Sequence, residues 1–146
     1  MFENKNKFIL CVDKDDLAYY ADLSEHNILR GKNREKFIFA MVYGYKNKAD
    51  IPLDNRDSGG YWRFFESDPI SRALVFSVSF NDMQDLKINS ESDLWGIIHK
   101  AEEYAHGGIR LLKNRWENVP HSSYWNKLEE GLFDEINNTH LSKENY

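Results

Sequence analysis

The 146-residue chain lacks most of the features that mark secreted and membrane proteins. It contains one cysteine, Cys11, so no internal disulfide can form and a disulfide-stabilised scaffold is excluded. No apolar run approaches the roughly 18 residues that a membrane helix needs. The short apolar run at residues 8–12 lacks the length and the cleavage site of a signal peptide. These absences predict a cytoplasmic protein with no membrane association.

Proline is also scarce, and the composition is otherwise that of a globular protein. Pro52, Pro69 and Pro120 are the only prolines, and we expect each to mark a break between elements. The hydrophobic share is 41% and the charged share is 29%, which argues against a disordered chain. Length and composition together predict a single domain over residues 1–146, with frayed tails at 1–7 and 138–146.

The charge is acidic overall but uneven along the chain. A net charge of −5 argues against a protein that coats nucleic acid, yet residues 28–64 carry eight basic side chains and four acidic ones. The basic residues that we consider candidates for DNA or phosphate binding are Arg30, Lys32, Arg34, Lys36, Lys46 and Lys48. Those from Arg30 to Lys36 precede or open a predicted helix, where charge and free amides can hold phosphate. The alternative is an ordinary solvated surface.

Apolar spacing predicts helices in the first half of the chain. Asp13 is expected to begin a helix whose inner face includes Leu17, Tyr20 and Ala21. Asn33 is expected to cap a core helix over residues 34–46. Its inner stripe would be Phe37, Ala40, Met41 and Gly44, with a second stripe at Ile38, Val42 and Tyr45. Gly44 predicts a close helix–helix approach or the end of the helix.

The rest of the chain adds a loop, a candidate strand and further helices. Residues 47–60 predict a loop, and residues 61–65 predict either a strand paired with residues 8–12 or an extended hydrophobic arm. Asp68 and Pro69 open a helix, although a strand competes over residues 73–80. Residues 92–116 form either one kinked helix or two helices that meet at Gly107-Gly108, and a last helix opens at Pro120. The predicted fold is mainly α, with about five helices and a minor two-stranded β element.

The sequence favours a non-catalytic role and predicts no cofactor. His99, Glu103 and His106 share one side of a helix, but a di-iron bundle also needs a second Glu-x-x-His element, which this chain lacks, so we predict no metal site. That helix side is instead interpreted as solvated or partner-facing. Cys11 lies in an apolar run, which predicts a buried, unreactive thiol. The catalytic alternative is a metal-dependent nuclease that uses Asp54, Asp57 and Glu66 beside Arg56 and Arg63.

An aromatic segment supplies candidate partner-binding residues. Tyr61, Trp62, Phe64 and Phe65 surround Arg63, and aromatic residues with arginine dominate interface hot spots. Ordinary core packing is the other interpretation, and we expect it for about half of these side chains. The candidate partner-binding residues are Tyr61, Trp62, Arg63, Phe65, Glu103 and His106.

Three stretches in order resemble one bacterial family. They are KFIFAMVYGYKN at residues 36–47 followed by IPL at 51–53, then ISRAL at 70–74, and AEEYAHGGI at 101–109. The chain resembles the family called dnd system-associated protein 4, encoded beside DNA phosphorothioation (Dnd) genes. The resemblance covers residues 33–115, whereas the N-terminal arm, residues 55–60 and the last helix do not match, and the family has Asn where this chain has His106.

The resemblance implies a setting and no catalytic residue. The setting is bacterial phage defence, so we expect an accessory or adaptor subunit that binds a larger protein of the same operon and can touch DNA. The nuclease described above and a DNA-binding regulator are the alternatives, and the negative net charge counts against the regulator.

Overall fold

The computed structural model describes residues 4–80 and 88–117. The chain divides into two compact units, Met1–Lys113 and Asn114–Tyr146. Only residues 114–117 of the second unit are described, and they are the end of the last described helix. The helix predicted to open at Pro120 lies outside the described residues.

The described residues are mainly helical. The elements in chain order are β1 (Ile9–Leu10), α1 (Leu17–Glu25), α2 (Asn33–Lys46), β2 (Trp62–Arg63), α3 (Pro69–Phe80) and α4 (Glu91–Glu117). The predicted fold class is therefore confirmed, with four α-helices in the described part where about five were predicted for the whole chain. No helix within residues 4–80 and 88–117 combines the length and apolarity needed to cross a membrane.

The two short strands pair, which is the first of the two alternatives that the sequence left open. β1 and β2 are antiparallel, with Ile9 opposite Arg63 and Leu10 opposite Trp62. The backbone N–H of Tyr61 donates to the carbonyl of Leu10 at 2.7 Å. The sheet holds the N-terminal segment against the middle of the chain, where Phe8, Leu10 and Cys11 become fully buried.

Side-chain caps set where the helices begin. Asp68 accepts from the backbone N–H of Ser71 at 2.8 Å and Pro69 is the first residue of α3, so the predicted helix start is confirmed and the competing strand is not observed. Asp13 caps a 3₁₀ turn at Lys14–Asp16, and α1 begins only at Leu17.

The 3₁₀ turn changes which face of α1 is buried. Because it has three residues per turn, it shifts the phase of the helix that follows. Leu17 and Ala21 are exposed, so their predicted inward position is wrong, whereas Tyr20 and Leu23 are buried.

α2 and α4 cross with their backbones in contact. A Cβ atom on Gly44 would lie 2.0 Å from the carbonyl oxygen of Tyr104, and one on Gly108 would lie 1.8 Å from the carbonyl oxygen of Ala40. The predicted close approach at Gly44 is confirmed. α4 continues through Gly107-Gly108 as one helix. Gly108 lacks a side chain where the backbone of α2 approaches, and it does not end the helix.

Only one side of α2 is buried. Phe37, Ala40, Met41 and Gly44 are all buried, which confirms the predicted inner stripe. The predicted second stripe is wrong at Val42, which is 38% exposed. One face of α2 packs inward, and the opposite face carries Phe39 and Val42 among charged residues.

Candidate functional site

Three ionisable residues of α4 face the N-terminal segment. Glu102, His106 and Arg110 are spaced by four, so they share one side of the helix. Residues 11–16 and Arg56 supply their partners, which places a polar cluster inside the largely apolar core. We call these residues the buried charge network: Cys11, Asp13, Asp16, Glu102 and His106 are buried, and Arg56 and Arg110 lie at its edge and reach solvent.

Glu102 joins three parts of the chain. Its side chain is 2% exposed, and its carboxylate accepts two hydrogen bonds from the guanidinium of Arg56, at 2.9 Å from Nε and 3.0 Å from Nη2. A third hydrogen bond, at 2.7 Å, comes from the backbone N–H of Cys11. Because the hydrogen bonds to Glu102 stabilise the cation, the pKa of Arg56 is raised. Glu102 therefore ties the loop at residues 47–60 and the N-terminal segment to α4.

Asp16 and His106 form a second buried pair. Oδ2 of Asp16 lies 2.5 Å from Nδ1 of His106, and Oδ1 lies 3.5 Å from Nε of Arg110. Burial raises the pKa of Asp16, and the hydrogen bond and charge of His106 oppose that change. His106 is only 3% exposed, so its predicted place on a solvated or partner-facing helix side is wrong: Asp16 covers it.

Asp13 is held differently, by backbone amides. Its carboxylate accepts from the N–H groups of Asp15 at 3.0 Å, Asp54 at 3.2 Å and Asn55 at 3.1 Å. Burial opposes ionisation of Asp13, but these hydrogen bonds and the nearby His106 lower its pKa overall. Asp13 thus fixes the loop at residues 54–55 as well as the start of the 3₁₀ turn.

Cys11 is a buried thiol, as predicted. Its side chain is inaccessible, and burial together with the charge of Glu102 raises the pKa of the thiol to about 11. The thiolate is the reactive form, so little of it exists near neutral pH. The network joins distant parts of the chain and does not activate the Cys11 thiol as a nucleophile.

The metal and nuclease candidates are not brought together. Within residues 4–80 and 88–117, no group of three His, Cys, Asp or Glu side chains is placed to hold a metal ion. Along α4, His99 is exposed and stacks near Trp95, whereas His106 is interior.

Apart from Asp54, the nuclease candidates have partners within the chain. Oδ1 of Asp57 accepts from the backbone N–H of Gly59 at 3.1 Å, and Glu66 pairs with Arg63 at 3.1 Å. Arg56 is directed to Glu102. Asp54 is exposed.

The candidate phosphate-binding residues lie at two ends of α2. Arg30, Lys32, Arg34 and Lys36 are near its beginning, and Lys46 and Lys48 are at its end, about 20 Å away at 1.5 Å per residue. The carboxylate of Glu35 accepts from the backbone N–H of Lys32 at 3.3 Å and so occupies the beginning of the helix. Arg34 is 3.3 Å from Asp68. A phosphate at this helix end would meet the Glu35 carboxylate, which weighs against that hypothesis.

The aromatic candidates divide between core and surface. Trp62 and Phe64 are buried, and the rings of Trp62 and Phe37 are 5.6 Å apart. Tyr61 and Phe65 are half-buried, and Arg63 is exposed. Glu103 is half-buried beside Lys100, at 3.5 Å. Of the partner-binding candidates, Tyr61, Arg63, Phe65 and Glu103 reach the surface.

The side of α2 opposite its buried stripe is a surface that the sequence patterns did not indicate. We call it the α2 outer face, and it consists of Lys32, Glu35, Lys36, Phe39, Val42, Tyr43 and Lys46. Phe39 is 40% exposed and Val42 is 38% exposed, and the three lysines lie towards the two ends of the face. An apolar centre with a charged rim is the usual composition of a protein-binding surface.

Comparison with known proteins does not identify the site, so its role is inferred from its geometry. No family model, no curated protein and no solved structure matched the chain. The spacing of Glu102, His106 and Arg110 was a visible signal for the buried charge network. Their partners, however, lie 46 to 94 residues away in sequence, where no local pattern connects them.

Proposed function

We propose that the chain is a non-catalytic accessory or adaptor subunit of a bacterial anti-phage defence system, linked to DNA phosphorothioation or similar to it. It would act by binding a larger protein of the same operon. The observation that carries the proposal is the α2 outer face, where Phe39 and Val42 are about 40% exposed between lysines. The setting comes from the resemblance of residues 33–115 to the Dnd-associated family.

The anchoring of α2 supports this use of its outer face. On its inner side the helix backbone contacts the backbone of α4 at Gly44 and Gly108, so the outer side chains are presented on a fixed support. A preorganised surface loses less conformational entropy on binding than a mobile one. Interface hot spots are typically aromatic side chains surrounded by a polar rim, and Phe39 occupies such a position.

The state of the ionisable groups supports a role without catalysis. Glu102, Asp13 and Asp16 have partners within the chain, and the Cys11 thiol is buried with a pKa of about 11. A catalytic acid, base or nucleophile has to reach a substrate. These side chains are instead used to join segments of the fold.

Co-purification from the native operon tests the proposal. We expect the tagged wild-type chain to retain a larger operon protein, and the variant with Phe39→Ser and Val42→Ser to lose it. Both side chains are partly exposed, so the variant should keep its fold, which circular dichroism and thermal unfolding would check. The matched control is Ile70→Ser, because Ile70 is an apolar residue of α3 that is 73% exposed. Equal retention by all three chains would contradict the proposal.

DNA contact is a second candidate, favoured by Lys32, Lys36 and Lys46 on the same face. A mobility shift with duplex DNA should weaken as salt rises, and Lys36→Glu with Lys46→Glu should abolish it. No shift at low salt would remove this candidate without affecting the adaptor.

A further inference from the structure

We infer that two copies of this chain associate through the outer sides of α1, which pack against each other in antiparallel directions about a twofold axis. We call the surface the α1 stripe, and it consists of Lys14, Leu17, Ala18, Ala21 and Glu25, all of them exposed. The stripe is separate from the α2 outer face, so this inference goes beyond the adaptor role. It is carried by the spacing of the stripe, by the charges at its two ends, and by the helix dipole.

The α1 stripe is nearly straight because a 3₁₀ turn leads into the helix. In a 3₁₀ turn, side chains three positions apart are eclipsed, so Lys14 lies in line with Leu17. Within α1, Ala21 and Glu25 follow Leu17 at intervals of four residues, which keeps them on the same side of the helix. From Lys14 to Glu25 the stripe is about 18 Å long, which is the full length of the turn and the helix together.

The centre of the stripe is apolar and small. Leu17 is 39% exposed, although its spacing predicted burial, and Ala18 and Ala21 are exposed beside it. Small side chains at a contact let two helix axes come close together. In an antiparallel pair centred on the two alanines, Ala18 of one copy lies opposite Ala21 of the other, and Leu17 packs beside that alanine. The pairing therefore removes apolar surface from water in both copies.

The two ends of the stripe carry opposite charges. Lys14 lies at its beginning and Glu25 at its end, and neither side chain has an ion-pair or hydrogen-bond partner within residues 4–80 and 88–117. An antiparallel second copy brings Glu25 of one chain to Lys14 of the other, and the twofold axis repeats this contact. A partner that is only basic or only acidic would satisfy one end and oppose the other. The charge pattern therefore favours a second copy as the occupant.

The helix dipole adds to this preference. Acids are favoured at the beginning of a helix and bases at its end, and Lys14 and Glu25 have the reverse placement in their own chain. In the antiparallel pair each of them lies beside the helix end of opposite sign in the other copy. Among the remaining acids of this region, Asp22 pairs with Lys113 at 2.5 Å, and Asp15 lies in the first turn, where the dipole favours it.

Sedimentation equilibrium of the full chain tests the inference. Between about 10 µM and about 1 mM we expect a monomer–dimer equilibrium that weakens as salt rises. Glu25→Lys and Lys14→Glu should each raise the dissociation constant about tenfold, because the twofold axis repeats each like-charge contact. The two changes combined should restore most of the affinity. The control is Asp54→Lys, the same charge change at an exposed residue outside α1, which should leave the dissociation constant unchanged.

Cysteine cross-linking tests the antiparallel register. Under mild oxidation, a mixture of Ala18→Cys and Ala21→Cys proteins should form the mixed disulfide faster than either variant forms its own, because these two positions face each other. Cys11 does not interfere, since it is buried. All of the substituted side chains are exposed, so the variants should keep their fold, which circular dichroism would check.

Three results would each overturn the inference. They are a monomer at every concentration, a dimer that Glu25→Lys and Lys14→Glu leave unchanged, and faster cross-linking within one cysteine variant than between the two. If the chain stays monomeric and Glu25→Lys loses the co-purified operon protein, the stripe belongs to that protein and the dimer is excluded. The adaptor proposal is tested separately through Phe39 and Val42, so either idea can fail while the other stands.

Discussion

Three buried carboxylates of this protein are stabilised in three different ways. Glu102 accepts hydrogen bonds from an arginine and a backbone amide, Asp13 accepts them from backbone amides alone, and Asp16 pairs with a histidine. A buried charge without a partner costs several kcal/mol, so removing the partner of any one of these carboxylates should lower the free energy of unfolding. The different partners predict different responses to mutation and to pH.

Removing the charge of Glu102 should destabilise the protein strongly. In Glu102→Gln, a neutral amide replaces the carboxylate that pairs with Arg56. The guanidinium of Arg56 is then partly buried without a counter-ion. Because Arg56 is about one-third exposed, we expect a loss of about 2–3 kcal/mol in the free energy of unfolding, less than for a fully buried pair. Urea denaturation would measure it.

The adjacent residue provides the control for Glu102. Glu103→Gln changes the same chemical group on the next position of α4, but Glu103 is half-buried and only 3.5 Å from Lys100. We expect a loss below about 1 kcal/mol. Similar losses for the two variants would show that the Arg56 pair is not important for stability.

Asp16 and Asp13 should respond to pH in opposite directions. The pKa of Asp16 is raised above 3.8 in the folded state, so its stabilising contribution is complete below that value and is lost as pH rises through the folded pKa. The pKa of Asp13 is lowered below 3.8, so its contribution is present above that value and is lost as pH falls through the folded pKa. The stability of wild type relative to Asp16→Asn should therefore decrease from acid to neutral pH.

The same comparison with Asp13→Asn should show the opposite dependence of stability on pH. Wild type should gain stability relative to Asp13→Asn as pH rises through the acid range below 3.8. Urea denaturation of the three proteins between about pH 3 and 7 would measure both trends. Parallel trends for the two variants would contradict this assignment of the pKa shifts.

At the scale of elements, the crossing of α2 and α4 depends on glycine. Alanine is favoured over glycine in a helix by about 1 kcal/mol, yet a Cβ on Gly44 would lie 2.0 Å from the backbone oxygen of Tyr104. The backbone of α4 cannot yield as a flexible side chain does, so the helices would have to separate. We expect Gly44→Ala to lower the free energy of unfolding by more than about 2 kcal/mol.

Gly96 provides the matched control, since a Cβ there meets nothing within 4 Å. Gly96→Ala should be neutral or stabilising by up to about 1 kcal/mol. Thermal unfolding of the two variants would compare them directly. A stable Gly44→Ala protein would show that the two helices do not cross as closely as described.

At the scale of the whole molecule, an acidic protein presents a basic face. The net charge is −5, but the α2 outer face holds three lysines and one glutamate. Such polarity orients an acidic partner and makes association depend on salt, whereas contacts with Phe39 and Val42 are much less sensitive to it.

If the proposed adaptor binds through this face, its affinity for the partner should fall as salt rises and then level off. Lys32→Gln with Lys36→Gln should reduce the salt dependence, and Phe39→Ala should reduce the remaining affinity at high salt. Binding measurements with the purified partner between about 50 and 500 mM salt would separate the two contributions. A salt-independent affinity in wild type would exclude a role for the lysines.

The sequence by itself determined the features that depend on neighbours along the chain. Asp68 before Pro69 predicted the start of α3, the inner stripe of α2 followed from helical spacing, and the apolar surroundings of Cys11 predicted its burial. Caps and periodicity act within about one helical turn, so a local pattern is sufficient to reveal them.

Only the tertiary structure decided which ionisable residues meet and which apolar side chains of α2 stay partly exposed. Asp16 reaches His106 across 90 positions of sequence, and Cys11 reaches Glu102 across 91. Val42 belongs to an apolar helix pattern, but it is exposed because α2 packs inward through only one of its sides. Both outcomes depend on how distant elements pack in three dimensions, and local spacing does not encode that arrangement.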